Sequence, residues 1–280
     1  MMDKRFKMLA SFALAFTAVV TVSEEAKAED VPLTGPLKGA PSHHGLRLYR
    51  KGRFEIAPTA SFTLLDEYRR TILFGAKLQY NITDWLGVGV WGAYGAISTT
   101  TSLTDQITEA DKKRGESNRT AVNVKQGGGG FEDQTAKIVW TAAPQIQLVP
   151  FRGKLALFQK LFVDADAYLH GGLAFVGLSE RGDCAACTTS KSFELQSRVA
   201  VAPTFGLGLT FYPSKVISFG FEYRALPFAW NRAGFDSRGT GTDGKFPDRQ
   251  INGDDQTFKF NQMVSIHIGI SLPTKPKLSE

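Results

Sequence analysis

A carboxylate–histidine set is the strongest candidate for chemistry in this sequence. Asp164, Asp166 and His170 are spaced by even numbers in the stretch VDADAYLH, so in a β-strand all three side chains point to one face. A histidine beside a carboxylate can act as a general base in hydrolysis. The same side chains can also pack in a polar interior. We favour that interpretation and predict no catalytic residue.

A second charged pair has the same spacing. Glu222 and Arg224 are two residues apart in GFEYR, which places both on one face of a strand. Opposite charges at that spacing predict an ion pair inside the protein and not a reactive site.

Two cysteines form the motif CAAC, at Cys184 and Cys187. A CxxC pair can be a redox motif or half of a zinc site. The sequence offers no second CxxC, no matching histidine pair and no surrounding βαβ pattern. We therefore favour a disulfide within a loop, which an oxidising compartment would permit.

Two further motifs are candidate ligand sites. His43 and His44 stand in a Gly/Pro-rich arm without other metal ligands nearby. The glycine run 127–130 lacks the Lys-Ser/Thr of a phosphate loop. We predict a linker and a loop, and neither a metal nor a cofactor.

The element that must position these residues is a strand with alternating apolar and polar residues. The alternation recurs in eight segments, and in TFKFNQMVSIHIGISLP it places Val264, Ile266 and Ile268 on one face. The other face carries small residues and a few charges, which is typical of the filled interior of an eight-stranded barrel. The polar side chains predicted inside are Lys77, Asp164, Asp166, His170, Glu222, Arg224, Lys259 and His267.

The connections between the strands are alternately short and long. NITDW and PSK predict tight turns, and PFRGKLALFQKLF predicts a short amphipathic helix between strands four and five. Long polar segments occupy residues 99–135 and 231–256. Transmembrane barrels have short periplasmic turns and long outer loops. We predict an all-β, eight-stranded antiparallel up-and-down transmembrane β-barrel with long extracellular loops, short periplasmic turns and both termini periplasmic.

Aromatic residues near the strand ends predict two interface girdles. The girdle at the short turns comprises Tyr80, Trp85, Phe151 and Tyr212. The girdle at the long loops comprises Phe62, Tyr94, Phe228 and Trp230.

The N-terminus predicts export. Residues 1–28 combine a basic start, an apolar stretch from Met8 to Val22 and the small-residue site Ala26-Lys27-Ala28, as signal peptides do. An uncleaved anchor helix is the alternative, but the apolar stretch is short for it. The predicted divisions are a signal peptide (1–28), a periplasmic arm (29–52), an outer-membrane barrel (53–272) and a C-terminal tail (273–280).

Charge and hydropathy exclude two other classes. The net charge is +6, and the basic residues are scattered and not gathered into a stripe, so we predict no nucleic-acid partner. Beyond the N-terminus no run approaches 18 apolar residues, which excludes a later transmembrane helix.

Several segments together resemble a known family. RLYRKGRFE and YNITDWLGVGVWGAYG carry most of the likeness, and LHGGLAFVGL, GLTFYPSKVISFGFEYR and the closing strand extend it. They resemble the outer-membrane β-barrel domain family of myxobacteria and their relatives, over residues 46–272. The resemblance implies an eight-stranded outer-membrane barrel without catalytic residues. Some members are similar to components of envelope-spanning machines such as gliding motility complexes.

The expected function is that of a non-enzymatic outer-membrane barrel, acting as an anchor or a subunit of a cell-envelope complex related to motility or adhesion. Its expected partners are outer-membrane lipids and other envelope proteins, reached through loops 99–135 and 231–256. A narrow transport or ligand-binding barrel and a hydrolase using Asp166 and His170 are the alternatives. A soluble lipocalin-like barrel is the structural rival.

The closing strand offers a direct test of lipid exposure. Nitroxide labels placed singly at positions 264 to 269, with Cys184 and Cys187 changed to Ser, should report oxygen collision rates that rise at 264, 266 and 268 and fall between them. The reason is that oxygen dissolves in lipid and period two swaps the environment of each neighbour. A flat profile would rule out a membrane-lining strand.

Overall fold

The computed structural model describes residues 50–114, 131–157, 161–182, 195–241, 244, 246 and 251–273. Side chains at 111–114 and 154–162 lie outside the description. The chain divides into two units, 1–44 and 45–280, and every described residue belongs to the second. Among the described residues, no helix is both long and apolar enough to cross a membrane.

Eight strands make up the described fold, with two helices between the third and fourth. The strands are β1 (Phe54–Leu64), β2 (Arg69–Asn81), β3 (Leu86–Thr100), β4 (Lys137–Leu157), β5 (Leu161–Arg181), β6 (Leu195–Tyr212), β7 (Ile217–Trp230) and β8 (Thr257–Leu272). The helices are α1 (Ser102–Arg114) and α2 (Phe131–Gln134), and a 3-10 turn covers Gly253–Asp255.

The strands form one closed barrel in sequence order. Every neighbouring pair is antiparallel, and β1 pairs with β8 from Phe54↔Leu272 to Leu64↔Gln262. The predicted all-β, eight-stranded antiparallel up-and-down barrel is therefore confirmed. The paired termini place the start of β1 and the end of β8 at the same end of the barrel.

The two ends of the barrel differ. Residues 82–85, 158–160 and 213–216 connect strands at what we call the short-turn end, where the barrel also begins and finishes. Residues 65–68, 101–136, 182–194 and 231–256 connect strands at the opposite end, which we call the long-loop end.

The outer surface of the barrel is an apolar belt. Away from the strand ends, no outward position carries a charge in the strands that the structure describes. Every strand contributes exposed apolar side chains, among them Ile56, Phe74, Val90, Ile146, Leu173, Leu207, Phe221 and Ile268. A belt of this kind is stable against hydrocarbon, where only helices and closed barrels pair all their backbone groups. The fold is that of a transmembrane β-barrel.

The interior has two parts. An apolar cluster fills the half nearer the long-loop end, and it comprises Leu73, Trp91, Ala93, Ala136, Ile138, Ala143, Ala174, Val176, Leu178, Ala200, Ala202, Leu226, Phe228, Trp230 and Met263. Polar and charged side chains fill the middle and the short-turn half. Side chains thus occupy the lumen, as expected for eight strands.

The predicted helix between strands four and five is wrong. β4 continues to Leu157 and β5 begins at Leu161, and the two pair through Leu155↔Val163 and Leu157↔Leu161. β3 stops pairing with β4 at Leu86↔Leu148, so this hairpin projects past the barrel wall. The leucines that suggested a helical face also fit a period of two, and the ladder between β4 and β5 selects the strand.

Three predicted girdle residues lie inside the barrel instead. Tyr212, Phe228 and Trp230 are buried, and the last two belong to the apolar cluster. Their parity within β6 and β7 directs them inward, although they stand near strand ends. Tyr80, Trp85, Phe151, Phe62 and Tyr94 are exposed, as a girdle requires.

A β-bulge reverses one further prediction. Ile138 and Trp140 are two residues apart in AKIVWTAAPQIQLV, so strict alternation predicts that both face outward, but Ile138 is buried in the apolar cluster while Trp140 is exposed. The pairing of β4 with β5 shifts between these two residues. One extra residue exchanges the faces of the strand on either side of it.

Adjacent glycines in β5 provide a test of strand packing. A Cβ at Gly172 would lie 2.1 Å from the carbonyl oxygen of Pro144, whereas a Cβ at Gly171 would meet nothing closer than 3.9 Å. Gly172→Ala should therefore destabilise the barrel by about 1–3 kcal/mol, and Gly171→Ala by far less. Urea unfolding in detergent measures the difference. Equal effects would contradict the close approach of β4 to β5.

Candidate functional site

The carboxylate of Glu222 lies at the centre of the polar interior. Arg224 Nη2 lies 2.5 Å from its Oε1, and the hydroxyl of Tyr168 donates to its Oε2 at 2.9 Å. His170 Nε2 is 3.6 Å from Oε1. The four side chains come from β5 and β7, where inward parity brings them together across the lumen. The ion pair predicted from the Glu222–Arg224 spacing is present.

Arg224 connects this carboxylate to three other strands. It donates to Gln145 Oε1 at 2.7 Å and to Thr204 Oγ1 at 3.1 Å. Its guanidinium carbon lies 4.3 Å from the centre of the Trp91 ring, a cation–π contact. Charge, hydrogen bonds and ring packing therefore hold this buried cation in one position.

Two more predicted interior residues lie in the same layer. Lys77 Nζ is 5.0 Å from the centre of the Tyr168 ring. His267 Nε2 is 3.5 Å from Thr210 Oγ1. We call Lys77, Tyr168, His170, Glu222, Arg224 and His267 the central cluster.

The structure places six of the eight predicted interior residues deep inside. Lys77, Asp166, His170, Glu222, Arg224 and His267 are each 4% exposed or less. Asp164 is only half-buried and pairs in register with Lys154 on the projecting hairpin. Lys259 was expected in the lumen, but its side chain is 36% exposed and lies 3.3 Å from Glu67 Oε1 at the long-loop rim. Lys259 lies on the inward-facing side of β8, but it stands near the start of the strand, where the barrel opens at the long-loop end.

Asp166 and His170, the candidate hydrolytic pair, lie in two different environments. Asp166 forms ion pairs with Arg50 and Arg152 at the short-turn end, whereas His170 contacts Glu222 in the centre. Each partner is therefore engaged by other groups. The described residues contain no group of three or more potential metal ligands. Cys184, Cys187, His43, His44 and the run 127–130 lie outside the described residues.

Arg50 closes the short-turn end from inside. It pairs with Asp166, and its Nη1 donates to the hydroxyl of Tyr212 at 2.6 Å. Arg152 Nε lies 3.5 Å from Asp166 Oδ1 on the other side. Arg50, which lies near the end of the predicted periplasmic arm (29–52), is therefore bound inside the barrel.

Arg53 joins the first strand to the last. Its Nη2 donates to the carbonyl oxygens of Lys215 at 2.8 Å, Ser271 at 3.3 Å and Pro273 at 3.2 Å. Burial lowers the pKa of its guanidinium from the ordinary value. Three carbonyl acceptors offset part of the cost of burying that charge.

Asp84 fixes the backbone that carries these arginines. Its Oδ1 accepts from the backbone N–H of Arg50 at 2.7 Å and of Lys51 at 3.1 Å. Burial favours the neutral acid, but these hydrogen bonds and the charge of Arg152 outweigh it and lower the pKa of Asp84. The turn 82–85 thus binds the segment that precedes β1.

Loops cover the long-loop end. Arg232 Nη2 lies 3.3 Å from Asp66 Oδ1 and donates to Asn261 Oδ1 at 2.6 Å. Burial raises the pKa of Asp66 despite that positive charge. The Phe131 ring of α2 stacks on Phe235 at 5.4 Å between centroids.

A second arginine ties α2 to the loop after β7. Arg181 Nη1 donates at 3.0 Å to both Gln134 Oε1 and the Gly234 carbonyl. The described loops therefore close over the apolar half of the lumen.

Sequence reasoning missed the arginines at the short-turn end. Arg50 and Arg53 stand before the first strand, where local pattern indicates only a basic linker. Their partners Asp166, Ser271 and Pro273 are more than 100 residues away along the chain. One signal could have indicated these contacts. Asp166 and Tyr212 have inward parity at the short-turn end, which is also where the basic segment before β1 meets the barrel.

The fold and interior define a class: a closed eight-stranded transmembrane β-barrel with a filled lumen. Similar solved structures include the N-terminal β-barrel domain of Pseudomonas aeruginosa OprF, at 8% identity, covering 79% of this chain and 98% of that chain with a TM-score of 0.42. OprG from Pseudomonas aeruginosa is 12% identical, and the match covers 80% of this chain and 97% of that chain with a TM-score of 0.39. Neisserial surface protein A is 10% identical, and the match covers 81% of this chain and 98% of that chain with a TM-score of 0.36. No family model and no curated protein matches the sequence.

The buried ion pair yields a stability prediction. Glu222→Ala leaves Arg224 charged and unpaired in the lumen, so it should cost about 3–5 kcal/mol. Glu222→Leu combined with Arg224→Met removes both charges and should recover most of that loss. Unfolding free energies in detergent measure both effects. A double variant as unstable as Glu222→Ala would show that the pair is not the source of the loss.

Proposed function

We propose that this protein is a non-enzymatic outer-membrane β-barrel that anchors or forms part of a cell-envelope complex. The observation that carries the proposal is a barrel with an apolar exterior whose interior is filled by its own side chains and engaged at both ends. A barrel of this kind contacts lipid with its outer surface and exposes its loops to other molecules. Within the residues that the structure describes, it offers neither an aqueous path nor an accessible reactive group.

The outer membrane is the location that this exterior favours. A chain with a predicted signal peptide, a sequential antiparallel barrel and unequal connections matches the architecture of that membrane's proteins. In this orientation the short-turn end and both ends of the barrel chain face the periplasm, and the long-loop end faces outward. The resemblance to the myxobacterial outer-membrane barrel family agrees with this proposal and remains a prediction.

Helix α1 provides a rigid surface at the proposed outer side. The hydroxyl of Thr101 donates to the Glu67 carbonyl at 2.6 Å, and the hydroxyl of Thr104 donates to the Tyr68 carbonyl at 2.7 Å. These bonds hold the helix against the β1–β2 turn. Gln106 and Glu109 stay exposed on it. A fixed polar helix at the mouth of the barrel suits contact with another protein in motility or adhesion.

Transport and hydrolysis have less support. A transported solute would have to displace the central cluster and the apolar cluster together. A hydrolase would need Asp166 and His170 free to meet a substrate, and both are buried and paired.

In-cell photo-crosslinking tests the proposed complex. A photoreactive residue at Gln106 or Glu109 should capture the same discrete envelope protein, because both positions are exposed on one fixed helix. The buried position Thr104 and the lipid-facing position Ile268 are controls that should not capture it.

Sidedness is checked in the same cells. With Cys184 and Cys187 changed to Ser, a membrane-impermeant maleimide should label Gln106→Cys on intact cells and should leave Ser214→Cys, in the turn 213–216, unlabelled. Capture of lipid alone from α1 would overturn the complex. Labelling of Ser214→Cys alone would reverse the orientation.

A further inference from the structure

The barrel wall contains a break between β6 and β7. Their ladder runs only from Phe205↔Ala225 to Phe211↔Phe219, in the short-turn half. Yet β6 begins at Leu195 and β7 ends at Trp230. On their other sides both strands stay paired to those ends, β6 with β5 and β7 with β8. Two strand edges, 195–204 and 226–230, therefore adjoin without a ladder, and we call this break the β6–β7 seam.

Two prolines explain where the ladder stops. Continuing the register beyond Phe205↔Ala225 would place Pro203 opposite Pro227. Proline has no N–H to donate, and its ring is accommodated mainly at edge strands. The prolines also remove donors that hydrocarbon could not satisfy. A break at this position therefore costs less than one between ordinary residues.

Side chains replace the missing ladder in part. Arg198 Nη2 donates to the carbonyl oxygen of Ala229 at 2.9 Å, near the long-loop end of the seam. On the outer surface, the rings of Phe205 and Phe260 lie 6.0 Å apart. These contacts depend on side-chain rotamers, which change more easily than a backbone ladder.

Apolar groups flank the seam on both sides of the wall. Val199 and Val201 are exposed on the outer surface, as part of the lipid-facing belt. Ala202, Phe228 and Trp230 are buried on the inner surface, within the apolar cluster. The seam thus lies where the apolar cluster and the surrounding hydrocarbon are separated only by two unpaired edges.

We propose that the β6–β7 seam is a lateral entry site for a lipid acyl chain. The chain passes between the two edges and packs against Phe228 and Trp230. Its chemistry matches because Val199 and Val201 flank the seam on the outside, and Ala202, Phe228 and Trp230 flank it on the inside. It is also the molecule already in contact with the outer flank. A soluble or polar ligand would meet hydrocarbon outside and an apolar core inside.

Quenching of Trp230 by lipids with brominated acyl chains tests this entry. Trp85→Phe and Trp140→Phe remove the two outward tryptophans, and a further Trp230→Phe variant isolates the signal of Trp230 by difference. Cys184 and Cys187 are changed to Ser. Although Trp230 is only 2% exposed, its fluorescence should fall in brominated vesicles relative to unbrominated ones.

Two variants that close the seam in different ways distinguish entry of an acyl chain from quenching by bromine that stays outside the wall. A disulfide between Val201→Cys and Ala229→Cys would lock the edges from outside and leave the interior unchanged. The matched control joins Val201→Cys to Phe175→Cys, a pair within the continuous β5–β6 ladder. Pro203→Val with Pro227→Val restores the missing N–H donors and closes the seam without a covalent bond. Slower migration after boiling on SDS gels confirms that each variant is folded.

The expected result is that either closure abolishes most of the loss of Trp230 fluorescence and that the control disulfide does not. Quenching that persists in both closed variants would overturn the proposal, because the bromine would then act through an intact wall. Absence of quenching in the open protein would overturn it as well.

Discussion

Backbone pairing is the constraint on which the rest of this structure depends. Hydrocarbon offers no hydrogen-bond partner, so a sheet in a membrane must close and pair its own edges. β1 meets β8 for this reason, and closure with eight strands leaves an interior that side chains fill. The polar side chains inside must then find partners among themselves. Glu222 and Arg224 do so with groups from β3, β4, β5 and β6.

The filling of the lumen explains why the ends differ in character. Arginines from the segment before β1 bring positive charge to Asp166 and to carbonyl groups at the short-turn end. The apolar cluster continues under the loops at the other end, where Arg232 pairs with Asp66 in the β1–β2 turn and Arg181 binds Gln134 in α2. Each end is thus held by arginines with several acceptors, whereas the wall between them is held by the ladder. At the β6–β7 seam that ladder is incomplete.

The strands were predictable because period two is a local property, and Val264 to Ile268 illustrate it. The Glu222–Arg224 pair was predictable for the same reason. Local pattern failed where one residue alters parity, as at the bulge beside Ile138. It failed at Phe228 and Trp230 because nearness to a strand end was given more weight than parity. The partners Gln145, Thr204 and Arg50 depend on register between distant strands, which no local spacing reports.

The arginines before β1 have a mechanical consequence. A force applied to the chain ahead of residue 50 reaches the barrel first through Arg50, which transmits it to β5, and then through Arg53, which transmits it to the end of β8. Four strands, β1, β5, β6 and β8, therefore share a pull that would otherwise peel β1 away alone. The rupture of several charged hydrogen bonds at once resists force better than their rupture one after another. The segment ahead of β1 is therefore fixed to the barrel at several separate points.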